Sequence, residues 1–277
     1  MIKKTVQKKT SNISLKKTKN IALSIQFSLD GFSFCVTDSE TQEKIYFTAY
    51  QFEETLNSPE DLLEKIQFIF KTNTNLQYTY DSVLVIHKNN LSTLVPSKYF
   101  DENALTSYLN FNIKVLSTDF IAFDEIASSN AKNVYVPYIN INNYLFQNFG
   151  EFEYRHHHTI LVEKLLTLEG SNDKTMFVNV SKNSFDIVVL ENKKIIFLNS
   201  FLYYTKEDFI YYILFTAEQI QLNTEIFKLY FMGEIQTESE IYKIAYKYIK
   251  NIFFLESQNF IFKDLEASNH SNFILLG

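Results

Sequence analysis

The sequence is poor in the residues that build bare backbone loops: 277 residues include five glycines and three prolines. Loops that cradle phosphate rely on glycine, because a side chain keeps the anion away from the backbone amides. That scarcity argues against an ordinary glycine-rich nucleotide loop. A single cysteine, Cys35, excludes an intrachain disulfide framework and a cysteine zinc cluster, and it fits a reducing, cytoplasmic setting. No apolar run approaches the roughly 20 residues that span a bilayer, and the first residues lack the apolar core of a secretory signal. A soluble chain with no membrane partner is therefore expected.

What the sequence does contain is core material and uneven charge. Hydrophobic residues make up 46% and aromatic residues 16% of the chain, enough apolar surface to offset chain entropy. The length allows one large domain or two subdomains. Lys3, Lys4, Lys8, Lys9, Lys16, Lys17 and Lys19 fall in the first 20 residues, which hold no acid, leaving 19 bases against 32 acids in a body near −13. Residues 1–20 read as a disordered basic arm, a solvated tail or a contact for RNA or an acidic partner. No aromatic residue interleaves with these lysines, so the arm offers no base-stacking platform.

From Ile21 the pattern turns to strand. In IALSIQFSL the residues Ile21, Leu23, Ile25, Phe27 and Leu29 share one face, and FSFCV resumes after Asp30 and Gly31. Asp-Gly between such runs predicts a type I′ hairpin corner with positive φ at both residues. A third strand is expected over Glu43–Tyr50. SPEDLLEKIQFIF then carries an N-cap serine, Ser58, with Pro59 at the first helical position. Its apolar face is Leu62, Leu63, Ile66 and Ile69. A buried strand over Ser82–His87 and a helix over Asp101–Leu109 complete the order β-β-β-α-β-α.

That order returns later in the chain. Strands over Thr175–Ser181 and Phe185–Leu190 flank a corner at Asn183 and Ser184, followed by a strand over Lys193–Phe201 and a long amphipathic helix from Lys206. A strand ending at Gly233, another helix and a last strand, NIFFLES, follow. Phe32 and Phe185 each come directly after their corner, an offset of 153 that drifts to about 150 at the third strands and about 145 after the helices through short loop deletions, and marks an internal duplication. The segment between the halves begins strand-like at VYVPYI and takes helical spacing from His157 to Leu168. Consecutive helix positions point about 100° apart, so His156, His157 and His158 are not expected to converge on one ion. With no HExxH motif present, they read as capping or surface residues and not as metal ligands.

A duplicated β-β-β-α-β-α unit resembles the actin-like ATPase superfamily. More closely, LSIQFSLDGFSFCV and VPYININNYLF with its following FG resemble the bacterial family named domain of unknown function 3822. The resemblance implies a duplicated α/β fold of two subdomains, 21–150 and 151–277, each with a mixed five-stranded sheet flanked by helices. It also implies a nucleotide cleft. In that superfamily an Asp-x-Gly hairpin in each half holds phosphate and organises the metal. Laid on this chain, the pattern falls on Gln26 and Ser28 in the first half, beside the Asp30-Gly31 corner. In the second half it falls on Asn179, Ser181, Asn183, Ser184 and Asp186. Where the superfamily has a Gly-Gly pair at the adenosine end, Gly233 stands alone after Met232.

The departures carry a chemical consequence. Gln26 and Asn179 offer neutral carbonyls where magnesium wants charged oxygen, and an amide is no general base. Ser28 and Ser181 add side chains where phosphate needs bare backbone. The expectation is a non-catalytic scaffold or adaptor with a degenerate site, no cofactor and an unidentified protein partner or second copy of itself. The alternative is a divergent ATPase or kinase that binds ATP and magnesium through Asp186, Asp30 and Asp124.

Overall fold

The computed structural model describes residues 2–9, 20–168, 173–259, 261 and 268–277. The first half contains β1 (Ile2–Lys9), β2 (Ile21–Ser28), β3 (Gly31–Asp38), β4 (Lys44–Phe52), α1 (Pro59–Thr72) and β5 (Ser82–His87). It continues through β6 (Ser92–Pro96), α2 (Leu105–Leu109), β7 (Ala122–Ile126), β8 (Ala131–Tyr135), α3 (Ile139–Phe149), β9 (Glu153–His156) and α4 (His157–Thr167). The second half holds β10 (Thr175–Val180), β11 (Ser184–Glu191), β12 (Lys194–Leu202), α5 (Lys206–Gln219), β13 (Lys228–Gly233), α6 (Glu240–Tyr248), β14 (Asn251–Phe254) and α7 (Phe273–Leu276).

The duplication is visible in the strand orders, β1-β4-β3-β2-β5-β9 and β12-β11-β10-β13-β14. Apart from β1 the two sheets share one topology: an antiparallel three-strand meander whose first strand also pairs in parallel with the crossover strand. A small sheet, β6-β8-β7, is inserted between β5 and α3. β9 pairs in parallel with β5, so the first sheet runs to His156, past the expected boundary at residue 150.

Alternation sorts the side chains into separate cores. Ile21, Leu23, Ile25 and Phe27 pack with Leu62, Ile66 and Ile69 of α1 and Ile141 and Leu145 of α3 on the outer face of the first sheet. Met176, Val178 and Val180 pack with Phe209 and Ile213 of α5 and Ala245 of α6 on the matching face of the second. Between the sheets a shared core joins Cys35, Phe47 and Ile86 to Phe177, Val188 and Met232, filled by α4 and by Phe273–Leu276 of α7. The helices start where their caps dictate: Ser58 accepts from the Asp61 amide, and Thr205 with Asp208 forms a capping box.

Four local expectations are corrected. Residues 2–9 are not a disordered arm; their backbone adds an antiparallel edge strand to β4, from Ile2↔Phe52 to Lys9↔Tyr46, satisfying edge groups that would otherwise face solvent. Lys16, Lys17 and Lys19 lie outside the described residues. The first hairpin corner is Leu29-Asp30, since Ser28 pairs with Gly31, and neither Asp30 nor Gly31 has positive φ. Gly31 is needed for another reason: a Cβ there would meet the Tyr50 carbonyl oxygen at 2.6 Å. The second corner is likewise one residue earlier, with the Ser181 amide donating to the Ser184 carbonyl. Finally, the long helix packed on α1 is α3, in a stretch read as strand-like, while residues 101–109 form a short helical segment in the inserted subdomain.

Two expected outcomes follow from this packing. Gly233 has φ +88°, and a Cβ on it would lie 2.1 Å from the Val180 carbonyl oxygen, whereas Gly150 at φ +75° has open space. Gly233→Ala should destabilise by about 3 kcal/mol or more and Gly150→Ala by only about 1 kcal/mol, as read by urea unfolding. His87 is fully buried; its Nδ1 accepts from the Tyr138 amide, and its Nε2 lies 2.9 Å from Asn142 Oδ1. Burial lowers its pKa to about 4, against the opposing Asn142 hydrogen bond. Because the unfolded chain binds this proton first, stability from His87 is full above about pH 6.5. It is lost as pH falls toward about 4, at most about 3 kcal/mol. Ring-nitrogen NMR should find the neutral Nε2–H tautomer down to about pH 5; a titration midpoint near the ordinary histidine value would contradict the assignment.

Candidate functional site

The carboxyl ends of the parallel strands in the two sheets face one cleft of about 420 Å³, the position where open α/β sheets bind ligands. Its wall includes Gln26, Ser28, Asp30 and Gly31 from the first half and Asn179, Ser181 and Gly233 from the second. Of the positions singled out in the sequence, Asn183, Ser184 and Asp186 lie off this wall. The buried carbonyl oxygen of Gln26 has no hydrogen-bond partner.

The cleft is crossed by the chain's own side chains. Lys88, just after β5, donates to Ser181 Oγ at 2.5 Å. Lys182 donates to the carbonyls of Glu53 at 2.6 Å and Phe52 at 3.2 Å. Asn183 donates to Thr55 Oγ1 at 2.9 Å, and Thr55 in turn donates to Asp30. The two hairpin corners are thereby joined to each other. At the cleft's base Phe273 and Ile274 of α7 form part of the lining. Lys164 of α4 holds the same segment through the carbonyls of Phe273 and Gly277, and burial lowers its pKa to about 8.

Directly behind Asn179 lies a buried polar cluster that sequence reasoning dismissed. Asp186, 5% exposed, sits on β11 opposite Asn179 of β10 and Ser200 of β12. Asn179 Nδ2 donates to its Oδ2 at 3.0 Å and Ser200 Oγ to its Oδ1 at 2.7 Å. From the start of α4, His157 Nε2 lies 3.3 Å from Oδ2 and His158 Nε2 3.1 Å from Oδ1. Burial raises the Asp186 pKa, but the histidines and their hydrogen bonds outweigh it and hold the carboxyl well below its usual range. Burial and the neighbouring His158 lower His157 to about 4.

His156 behaves as expected of a cap: it is the N-cap of α4, its Nδ1 accepting from the His158 amide. All three histidines are buried, however, and not on the surface. His156 is extended and stands outside the helical-angle argument, while His157 and His158 stand in the first helical turn with rings 4.1 Å apart and, against that argument, both reach Asp186. No sequence signal reveals this, because the partner lies 28 residues away on another sheet. Asp124 is drawn into a different cluster, accepting from Tyr135, Thr159 and the His156 amide; it stands with neither Asp30 on the cleft wall nor the histidine pair.

With this geometry in hand, comparison with known proteins places the chain. It matches a Bacteroides thetaiotaomicron protein with an actin-like ATPase fold and unknown function, with TM-score 0.80 and 22% identity over 88% of this chain and 94% of that one. It also matches a chain of the PilM-PilN type IV pilus biogenesis complex, with TM-score 0.56 and 12% identity over 85% of this chain and 88% of that one. At these identities both establish the actin-like fold and nothing further. No curated protein sequence matches. Among the described residues no helix is long and apolar enough to cross a membrane. The family model described as Protein of unknown function (DUF3822) matches residues 10–252, and the chain belongs to that family.

Proposed function

We propose that this protein keeps the actin-like fold as a non-catalytic scaffold or adaptor that binds another protein, its nucleotide cleft being degenerate. The observation that carries the reading is the occupation of the cleft by its own polar groups. Lys88 and Lys182, the cations on the cleft wall, are engaged with Ser181 and backbone carbonyls, and beside them Asn183 is engaged with Thr55. Gln26 and Asn179 bring neutral amides where a magnesium ion would need charge, and Asn179 spends its NH₂ on Asp186. A ligand entering here would have to break these bonds and repay each from its own contacts.

The partner is inferred to be a protein. A chain of similar fold occurs in the PilM-PilN complex, and the second half exposes Tyr204, Tyr211, Phe215, Tyr246 and Tyr248 on or beside α5 and α6. Aromatic surface of this kind is enriched at protein interfaces.

Titration calorimetry with ATP, with and without magnesium, tests the reading. No binding at millimolar ATP is the expected result. Tight, magnesium-dependent binding would reverse it in favour of an ATPase or kinase with an unfamiliar site.

A further inference from the structure

The histidine and aspartate cluster behind the cleft has no part in the scaffold reading, yet it gathers three metal-ligating side chains in one buried place. We propose that His157, His158 and Asp186 form a buried binding site for a divalent first-row transition ion, with zinc the best fit. The ligand atoms, one from each residue, all lie within 4.8 Å of one another. Donors about 2.0–2.1 Å from a tetrahedral ion are about 3.3–3.4 Å apart. His157 Nε2 lies 3.3 Å from Asp186 Oδ2 and His158 Nε2 3.1 Å from Oδ1, so each imidazole stands about one edge length from its own oxygen of the carboxylate, an arrangement that a bidentate Asp186 meets.

The groups that would orient His158 and Asp186 are already in place. His158 Nδ1 faces Ser92 Oγ at 2.9 Å, so Ser92 Oγ can accept a hydrogen bond from Nδ1–H when Nε2 binds metal, the usual support of a ligating imidazole. Asn179 and Ser200 each donate to one oxygen of Asp186, which fixes the carboxylate without consuming all its lone pairs. Ser200 Oγ also lies 2.9 Å from His158 Nε2.

Hydrogen bonding alone accounts for His157 poorly. Its Nε2 faces an Asp186 oxygen that Asn179 already serves. Two imidazoles and one carboxylate suit zinc, cobalt or nickel and disfavour magnesium, which wants an oxygen shell. Access is short, because Asn179 both touches Asp186 and lines the cleft. The inference goes beyond the scaffold reading and does not depend on it, since no nucleotide enters the argument.

The test uses the full-length protein stripped with EDTA, titrated with Zn²⁺ by calorimetry and with Co²⁺ by visible absorption. The expected result is one equivalent bound in the micromolar range or tighter, a tetrahedral cobalt spectrum, and Mg²⁺ at least about 100-fold weaker. His158→Gln and Asp186→Asn, checked for folding by circular dichroism, should each weaken binding at least about tenfold. Ser92→Ala should weaken it within about 10–100-fold, and His270→Gln should leave it unchanged. Absence of a cobalt spectrum in the unmodified protein overturns the proposal even if every variant misfolds. So does binding that persists unchanged in folded His158→Gln and Asp186→Asn.

Discussion

Burial of one carboxylate organises this molecule. Asp186 stands on a central strand with 5% of its surface exposed, and an ionised group in that position costs several kcal/mol unless donors surround it. β10 and β12 each supply one, but strands alone cannot complete the shell. The rest comes from the start of α4, where two imidazoles and the positive end of the helix dipole face the acid. α4 follows β9 with no linker, since His156 ends the strand and caps the helix. Seating α4 on Asp186 therefore also seats the last strand of the first sheet, and the core between the sheets closes around the result.

The same interaction explains why position 179 carries an amide. Asn179 is directly paired with Asp186 and donates to it at 3.0 Å. A second carboxylate there would set two like charges in contact in a buried site, and one would have to take up a proton. An amide can donate where a carboxylate can only accept. Binding Asp186 in this network and holding a metal-organising acid at residue 179 are thus competing uses of one position, and this chain has the first.

Much of the fold was legible because it rests on periodicity. Alternation in β2, the continuous apolar run of β11, the Ser58-Pro59 start of α1 and the spacing of α5 all express burial directly, and the repeat at an offset of 153 exposed the duplication. What was missed depends on contacts distant in sequence. The alternating Ile and Asn of α3 mimic a strand until its apolar residues find α1 and the first sheet. Gly31 looked like a turn glycine, but its constraint comes from a carbonyl on the neighbouring strand. In the candidate site, the cleft residues were found from the hairpins that carry them. The His157–His158–Asp186 cluster was not, because local geometry shows where a side chain departs and not what it meets.

The halves match in topology and differ in chemistry, and that difference decides what fills the space between them. The offset of 153 that relates Phe185 to Phe32 relates Asp186 to Ser33 and Asn179 to Gln26. Ser33 is buried and uncharged, so the first sheet has no acid on that register to neutralise and needs no polar helix end against it. Its inner face meets Phe273–Leu276 of α7 instead, packed with Cys35 and Phe47. Both inner faces share the apolar core, and the second alone adds histidines that answer a charge. A duplicated scaffold with equal inner faces could accept either cover on either side. Asp186 removes that degeneracy, because α7 has no donor side chain to offer a buried carboxylate.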